Sequence, residues 1–188
     1  LSTLPTSLSL ICRNALLAFA RRALVDLAAA ITPSLRDCCG DLLDAHVGVF
    51  VTLRKAGNLR GCIGYTAADE PLSALLPQAA RSAAIADPRF PPLTKAEVDH
   101  IAVEITLLGV AHEVRDIDEI VIGHHGLIVS NGTQRGLLLP QVAVEGNYDV
   151  PAFLDQTCRK AGLAIGSWRN KDTKIELFSG YHFAEVKA

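Results

Sequence analysis

The sequence predicts an α+β domain, a largely antiparallel sheet flanked by helices in two lobes, and three observations carry that expectation. Strand-like runs come in pairs joined by short turn signals, at Lys55-Ala56-Gly57-Asn58 and at Asn131-Gly132. Helical apolar spacing recurs between them. No repeat or low-complexity linker interrupts the 188 residues, so residues 1–188 are expected to form one domain with a larger and a smaller lobe.

Ser7 or Ser9 can cap a first helix whose apolar residues Leu16, Leu17, Phe19, Ala20, Leu24 and Leu27 recur at three- and four-residue spacing, with Arg21 and Arg22 on its wet side. Residues 32–44, with Pro33, Cys38-Cys39 and Gly40, read as an irregular connection. The β-rich run 47–53 is a strand, and the turn after it folds the chain back into residues 59–63 as hairpin partner. Pro71 opens a helix buried along Leu72, Leu75, Leu76, Ala79, Ala80 and Ala83, which Asp87-Pro88 ends. Residues 101–108 alternate as a strand with Glu104 on the face opposite Val103 and Ile105. Residues 127–129 and 137–139 flank the Asn131-Gly132 turn, 151–163 form a helix, and 175–183 a last strand.

Hydrophobic residues at 49% and charged residues at 20% describe a chain that folds. A net charge of −2 and a pI near 6.3 supply no basic field for phosphates, so nucleic acid is not an expected partner. Arg13, Arg21, Arg22 and Asp26 interrupt the most apolar stretch, which argues against a membrane span, and no secretory pattern precedes it. The expected location is the cytoplasm. Five cysteines, an odd number, are expected to be reduced thiols rather than a disulfide framework.

Cys62 stands in Leu59-Arg60-Gly61-Cys62-Ile63-Gly64. Gly61 and Gly64 would let a ligand approach the backbone, and strand alternation would put Arg60 on the face of Cys62, where a guanidinium favours the thiolate. The plainer account is a small cysteine buried in a core strand. His125, in His124-His125-Gly126, could act as a general base or metal ligand; adjacent histidines on a strand diverge, and a loop histidine satisfied by solvent or a carbonyl is the simpler explanation. Arg89, in Asp87-Pro88-Arg89-Phe90, could grip a carboxylate or phosphate in a forked contact, or belong to a structural turn. Glu104 could pair with Arg60 or Arg89, or carry a proton. Cys62, His125 and Glu104 would make a mixed ligand set for zinc, copper or iron, but no metal-binding spacing accompanies them, and neither a metal nor a cofactor is assigned. The glycines at 57, 61 and 64 match no nucleotide-binding fingerprint.

The cysteine run resembles the hallmark of the AMMECR domain family, whose bacterial and archaeal members often carry the label AmmeMemoRadiSam system protein A. Asp87-Pro88-Arg89-Phe90, Glu104-Ile105-Thr106, Gly126-Leu127, Leu139-Pro140-Gln141-Val142, Cys158 and Lys160-Ala161-Gly162-Leu163 match further landmarks in order, and Trp168 falls where an aromatic is expected. Tyr148-Asp149 departs from a common Trp-Asp. The resemblance implies two lobes around a largely antiparallel sheet and a cleft where the cysteine motif meets other polar residues, and it gives Cys62 more weight than packing alone. It implies no settled reaction. The expected function is an enzyme acting on a small molecule or modified side chain, with Cys62 as nucleophile or proton carrier, His125 as base, Glu104 as orienter, and Arg60, Gly61, Gly64 and Arg89 holding substrate. The alternative is a non-catalytic scaffold for a Memo-like or radical SAM protein, the partners to which that label links the family.

Overall fold

A computed structural model describes residues 8–26, 31–66 and 70–186. They fall into two compact units, one made of the described residues up to Leu108 with those from Tyr181 onward, the other of Gly109–Gly180.

In the first unit α1 (Leu10–Val25) begins where the Ser9 side chain accepts the Cys12 N–H at 3.2 Å. The other candidate cap, Ser7, and Leu27 lie outside the described residues. Residues 32–44 are regular rather than an irregular connection: Thr32 caps α2 (Pro33–Cys39), Pro33 occupies its first turn, and a 3-10 turn, Gly40–Asp44, follows. Seven residues are too few for apolar periodicity to reveal a helix. A disulfide joins Cys12 on α1 to Cys39 on α2, with Cα atoms 5.1 Å apart. This corrects the expectation of five reduced thiols, because cysteines 27 residues apart become neighbours only once the helices pack.

β1 (Gly48–Lys55) and β2 (Asn58–Tyr65) form an antiparallel hairpin over Ala56 and Gly57, whose φ values of 48° and 79° suit the twist of a two-residue turn. β1 also pairs antiparallel with β3 (Ile101–Leu108), leaving β2 at the sheet edge. Val49, Val51, Leu53, Val103, Ile105 and Leu107 are buried, in one core with residues of α1 and of α3 (Leu72–Ile85). Alternation therefore turns Phe50, Thr52, Arg54, Glu104 and Thr106 to the opposite face, and the register sets Cys62 beside Thr52 on that face. α4 (Lys95–Val98) is fixed by a Thr94–Glu97 capping box. The final residues of β7 (Lys174–Ala184) belong to this unit, and beyond them Glu185 donates its N–H to Val103 O at 3.0 Å. The Glu185 carboxylate is gripped by Arg21, which also reaches Ile101 O at 2.6 Å. Arg21 is thus a partly buried clamp and not a wet-side residue, a role set by a partner 164 residues away.

In the second unit β5 (His125–Asn131) lies between β6 (Gln134–Leu138) and the first part of β7, with the two-residue β4 (His112–Glu113) also on β7. These pairings are antiparallel, and the β5–β6 turn falls at Asn131-Gly132 as the sequence predicts. Pro140 starts an unexpected short helix, α5 (Pro140–Glu145), and Asp149 caps α6 (Val150–Lys160) by accepting the Ala152 N–H at 2.8 Å. Ile120, Leu127, Ala143, Phe153, Leu154 and Leu177 make the core. Among the described residues no helix is long and apolar enough to cross a membrane.

Candidate functional site

The two glycines beside Cys62 have packing reasons. A Cβ at Gly61 would stand 2.1 Å from the Ala83 carbonyl oxygen, so α3 lies directly on the strand there. At Gly64 a Cβ would meet the Phe50 ring at 2.4 Å and Val49 O at 2.4 Å, and Phe50 is its cross-strand partner. The space expected for a ligand is therefore filled by the protein itself. Cys62 has no such account: it is only half-buried and faces away from the helices.

Thr52 Oγ1 donates to Cys62 Sγ at 3.3 Å across the β1–β2 pair. One strand further, Glu104 sits opposite Thr52 and accepts from Arg54 Nε at 2.8 Å. Two residues along β3, Thr106 Oγ1 lies 3.2 Å from His182 Nδ1, the ring nitrogen orienting with a buried hydroxyl. A thiol, two hydroxyls, a carboxylate, a guanidinium and an imidazole thus share one face of a sheet whose other face carries the buried aliphatic residues of the core. Burial pushes the Cys62 thiol up from its ordinary pKa, aided by the charges of Asp87 and Glu104 and opposed by the Thr52 hydrogen bond and by Arg89. The thiol is protonated at neutral pH.

Arg60 does not favour a thiolate there. The β1–β2 register slips between Leu53 and Arg54, so alternation does not carry from Cys62 to Arg60. Its guanidinium instead meets Glu97 at 3.2 Å and lies over the Phe90 ring. Arg89 is bound to Asp87, whose carboxylate accepts from Arg89 N, Nε and Nη2 at 3.1, 2.9 and 2.7 Å and from the Cys62 N–H at 2.8 Å. Glu104 pairs with Arg54 rather than with Arg60 or Arg89.

His125 lies in the second unit. Its Nδ1 accepts the Val121 N–H at 3.1 Å, so a neutral ring carries its proton on Nε2 and its lone pair is already used. His124 and His125 do not diverge; their rings stand 4.8 Å apart, since His124 precedes the strand. Burial first, then the neighbouring His124 and His112, push the His125 pKa down against the pull of the Glu119 carbonyl. The stability this neutral ring supplies is fully present above the unfolded value, about 6.5, and is lost as pH falls below it through the folded value. His125→Gln is expected to flatten that part of the stability profile, read by denaturant unfolding between about pH 7 and 5. Among the described residues no three His, Cys, Asp or Glu side chains gather in a way that could hold a metal ion.

Sequence reasoning missed Thr52, Arg54, Thr106 and His182. Alternation outward from Glu104 reaches Thr106, and alternation along β1 links Thr52 to Arg54. Nothing local points to His182, which joins the face through pairing 76 residues distant.

The AMMECR1 family model matches residues 11–183 of this chain. A protein of Methanothermobacter thermautotrophicus is 44% identical over 157 residues, covering 80% of this chain and 82% of that one. A protein of Aquifex aeolicus is 45% identical over 147 residues, covering 74% and 75%. The crystal structure of an uncharacterised protein from Pyrococcus horikoshii matches with a TM-score of 0.82 at 37% identity, over 90% of this chain and 89% of that one.

Proposed function

This chain belongs to the AMMECR1 family, and from that premise we propose that it is an enzyme acting on a small molecule or modified side chain at the polar face of the first unit, with Cys62 as proton carrier or nucleophile. The observation that carries the reading is the Thr52 hydroxyl donated to Cys62 Sγ. It occupies a lone pair of the sulfur and leaves the S–H to point elsewhere, so the thiol can hand a proton to a bound molecule and then attack or rest as thiolate. The ion pair of Arg54 on β1 with Glu104 on β3 offers both an acceptor and donors on the same face to orient that molecule. The anion-holding part first given to Arg60 and Arg89 is not kept, since they are engaged by Glu97 and Asp87 as Arg54 is by Glu104. His125 has no part in this proposal, because its lone pair is committed to Val121.

The scaffold alternative, with the glycine-rich strand presenting its backbone to a Memo-like or radical SAM partner, has less support. Asp87 and Arg89 already occupy the outward N–H and C=O of Cys62.

Two results test the enzyme reading. Cys62 is expected to alkylate more slowly than a free small-molecule thiol at neutral pH, with a midpoint above the ordinary cysteine value. Fractions of a small-molecule extract that bind the face should slow that alkylation while sparing Cys38, read by peptide mass spectrometry. If no fraction shields Cys62, and C62S still captures a protein partner as wild type does, the scaffold reading replaces this one.

A further inference from the structure

We propose that Asp87 and Arg89 form a positioning fork that holds Cys62 from the outer side of the edge strand and sets the charge its thiol meets, an inference that rests on the reading of Cys62 as the reactive group. β1 supplies hydrogen-bond partners along only one side of β2. On the other side an edge strand ordinarily offers its N–H and C=O groups to water or to another chain. At Cys62 both are taken from within: Asp87 Oδ2 accepts the N–H at 2.8 Å and Arg89 Nη2 approaches the carbonyl oxygen at 3.4 Å. The Arg89–Asp87 bonds tie the two arms together, and Pro88 between them restricts the backbone of the connection. The Asp87 side chain is buried while that of Arg89 is 52% exposed, so the fork is anchored inside and open to solvent at its cationic end.

The groups facing the thiol come from three elements. β1 contributes the Thr52 hydroxyl, β3 contributes Glu104, which Arg54 of β1 engages, and the segment after α3 contributes Asp87 and Arg89. Arg60, on the same strand as Cys62, is turned to Glu97. Arg89 is thus the cation acting on the sulfur, and Asp87 and Glu104 are the opposing anions. A fork that sets charge makes the two arms act in opposite senses; a fork that merely holds the strand makes them act alike.

The test is the pH dependence of Cys62 alkylation by iodoacetamide in the full chain, read by peptide mass spectrometry. R89Q removes the charge from a half-exposed position and is expected to move the midpoint to higher pH, slowing alkylation at about pH 8 by about threefold or more. R89K, which keeps the charge without the planar fork, should recover most of that rate. D87N should move the midpoint the other way, and the D87N/R89Q double variant should return toward wild type. D87N can lose stability, so its fold is checked first; if it does not fold, the R89Q and R89K pair decides. Equal effects of R89Q and R89K, or faster alkylation in R89Q, would overturn the proposal in favour of a purely structural brace. Alkylation rather than turnover is measured, so the fork can fail while Cys62 remains the reactive group, and the reverse.

Discussion

Gly61→Ala is expected to cost about 3 kcal/mol or more of folding stability, enough to unfold much of the chain if the wild type has an ordinary margin. The added methyl would stand 2.1 Å from the Ala83 carbonyl oxygen, a backbone atom that cannot swing aside as a flexible side chain would. Relief requires α3 to lift from β2, and α3 buries Leu72, Leu76, Ala79 and Ala80 completely in the same core. Gly57→Ala is the control. It has nothing within 4 Å of its added Cβ, and its φ of 79° is the only obstacle, so its cost should be about 1 kcal/mol. Denaturant unfolding of the two variants separates a packing glycine from a turn glycine; equal costs would mean that the helix does not press on the cysteine strand.

Asp87→Ala is expected to cost about 3 kcal/mol, discounted for the half-exposed Arg89 partner. The substitution strands the Cys62 N–H and releases three Arg89 contacts around a carboxylate that is otherwise buried. Arg89 first, then the Cys62 N–H, hold the Asp87 carboxyl well below the usual carboxylate range against the opposing cost of burial. Its contribution is therefore complete above the unfolded value, about 3.9, and declines as pH falls below it. The wild type should lose stability on acidification below about pH 4 more steeply than the Asp87→Ala variant. Parallel profiles in that window would show that the fork does not stabilise the fold.

Much of the architecture could be read along the chain because it is locally encoded. Ser9 caps the first helix, Gly57 and Gly132 turn hairpins, and the alternation in β3 separates Glu104 from the core. What escaped depends on distant partners or short elements. Arg21 looks solvent-facing by helical position, and only the return of the last strand brings Glu185 to it. The bulge that turns Arg60 away from Cys62 is a register slip between paired strands, invisible to a count of alternate residues in one of them. Cys12 and Cys39 meet because α2 forms, and α2 itself is below the length at which periodicity speaks. Cys62, Glu104 and Arg89 were singled out by residue type and do lie in the first unit with it, whereas Thr52, Arg54 and His182 became visible as neighbours of the thiol's face only through strand pairing.

The most direct measurement follows the small molecules themselves. Wild type, C62S and C62A are incubated with a metabolite extract from cells that carry the gene, and each compound is followed by mass spectrometry. A reactive Cys62 predicts that wild type depletes a compound that C62A leaves untouched, with C62S reduced at least about tenfold because a serine hydroxyl is a far weaker acid and nucleophile than a thiol. Depletion that is the same in wild type and C62A, or absent in all three, contradicts it.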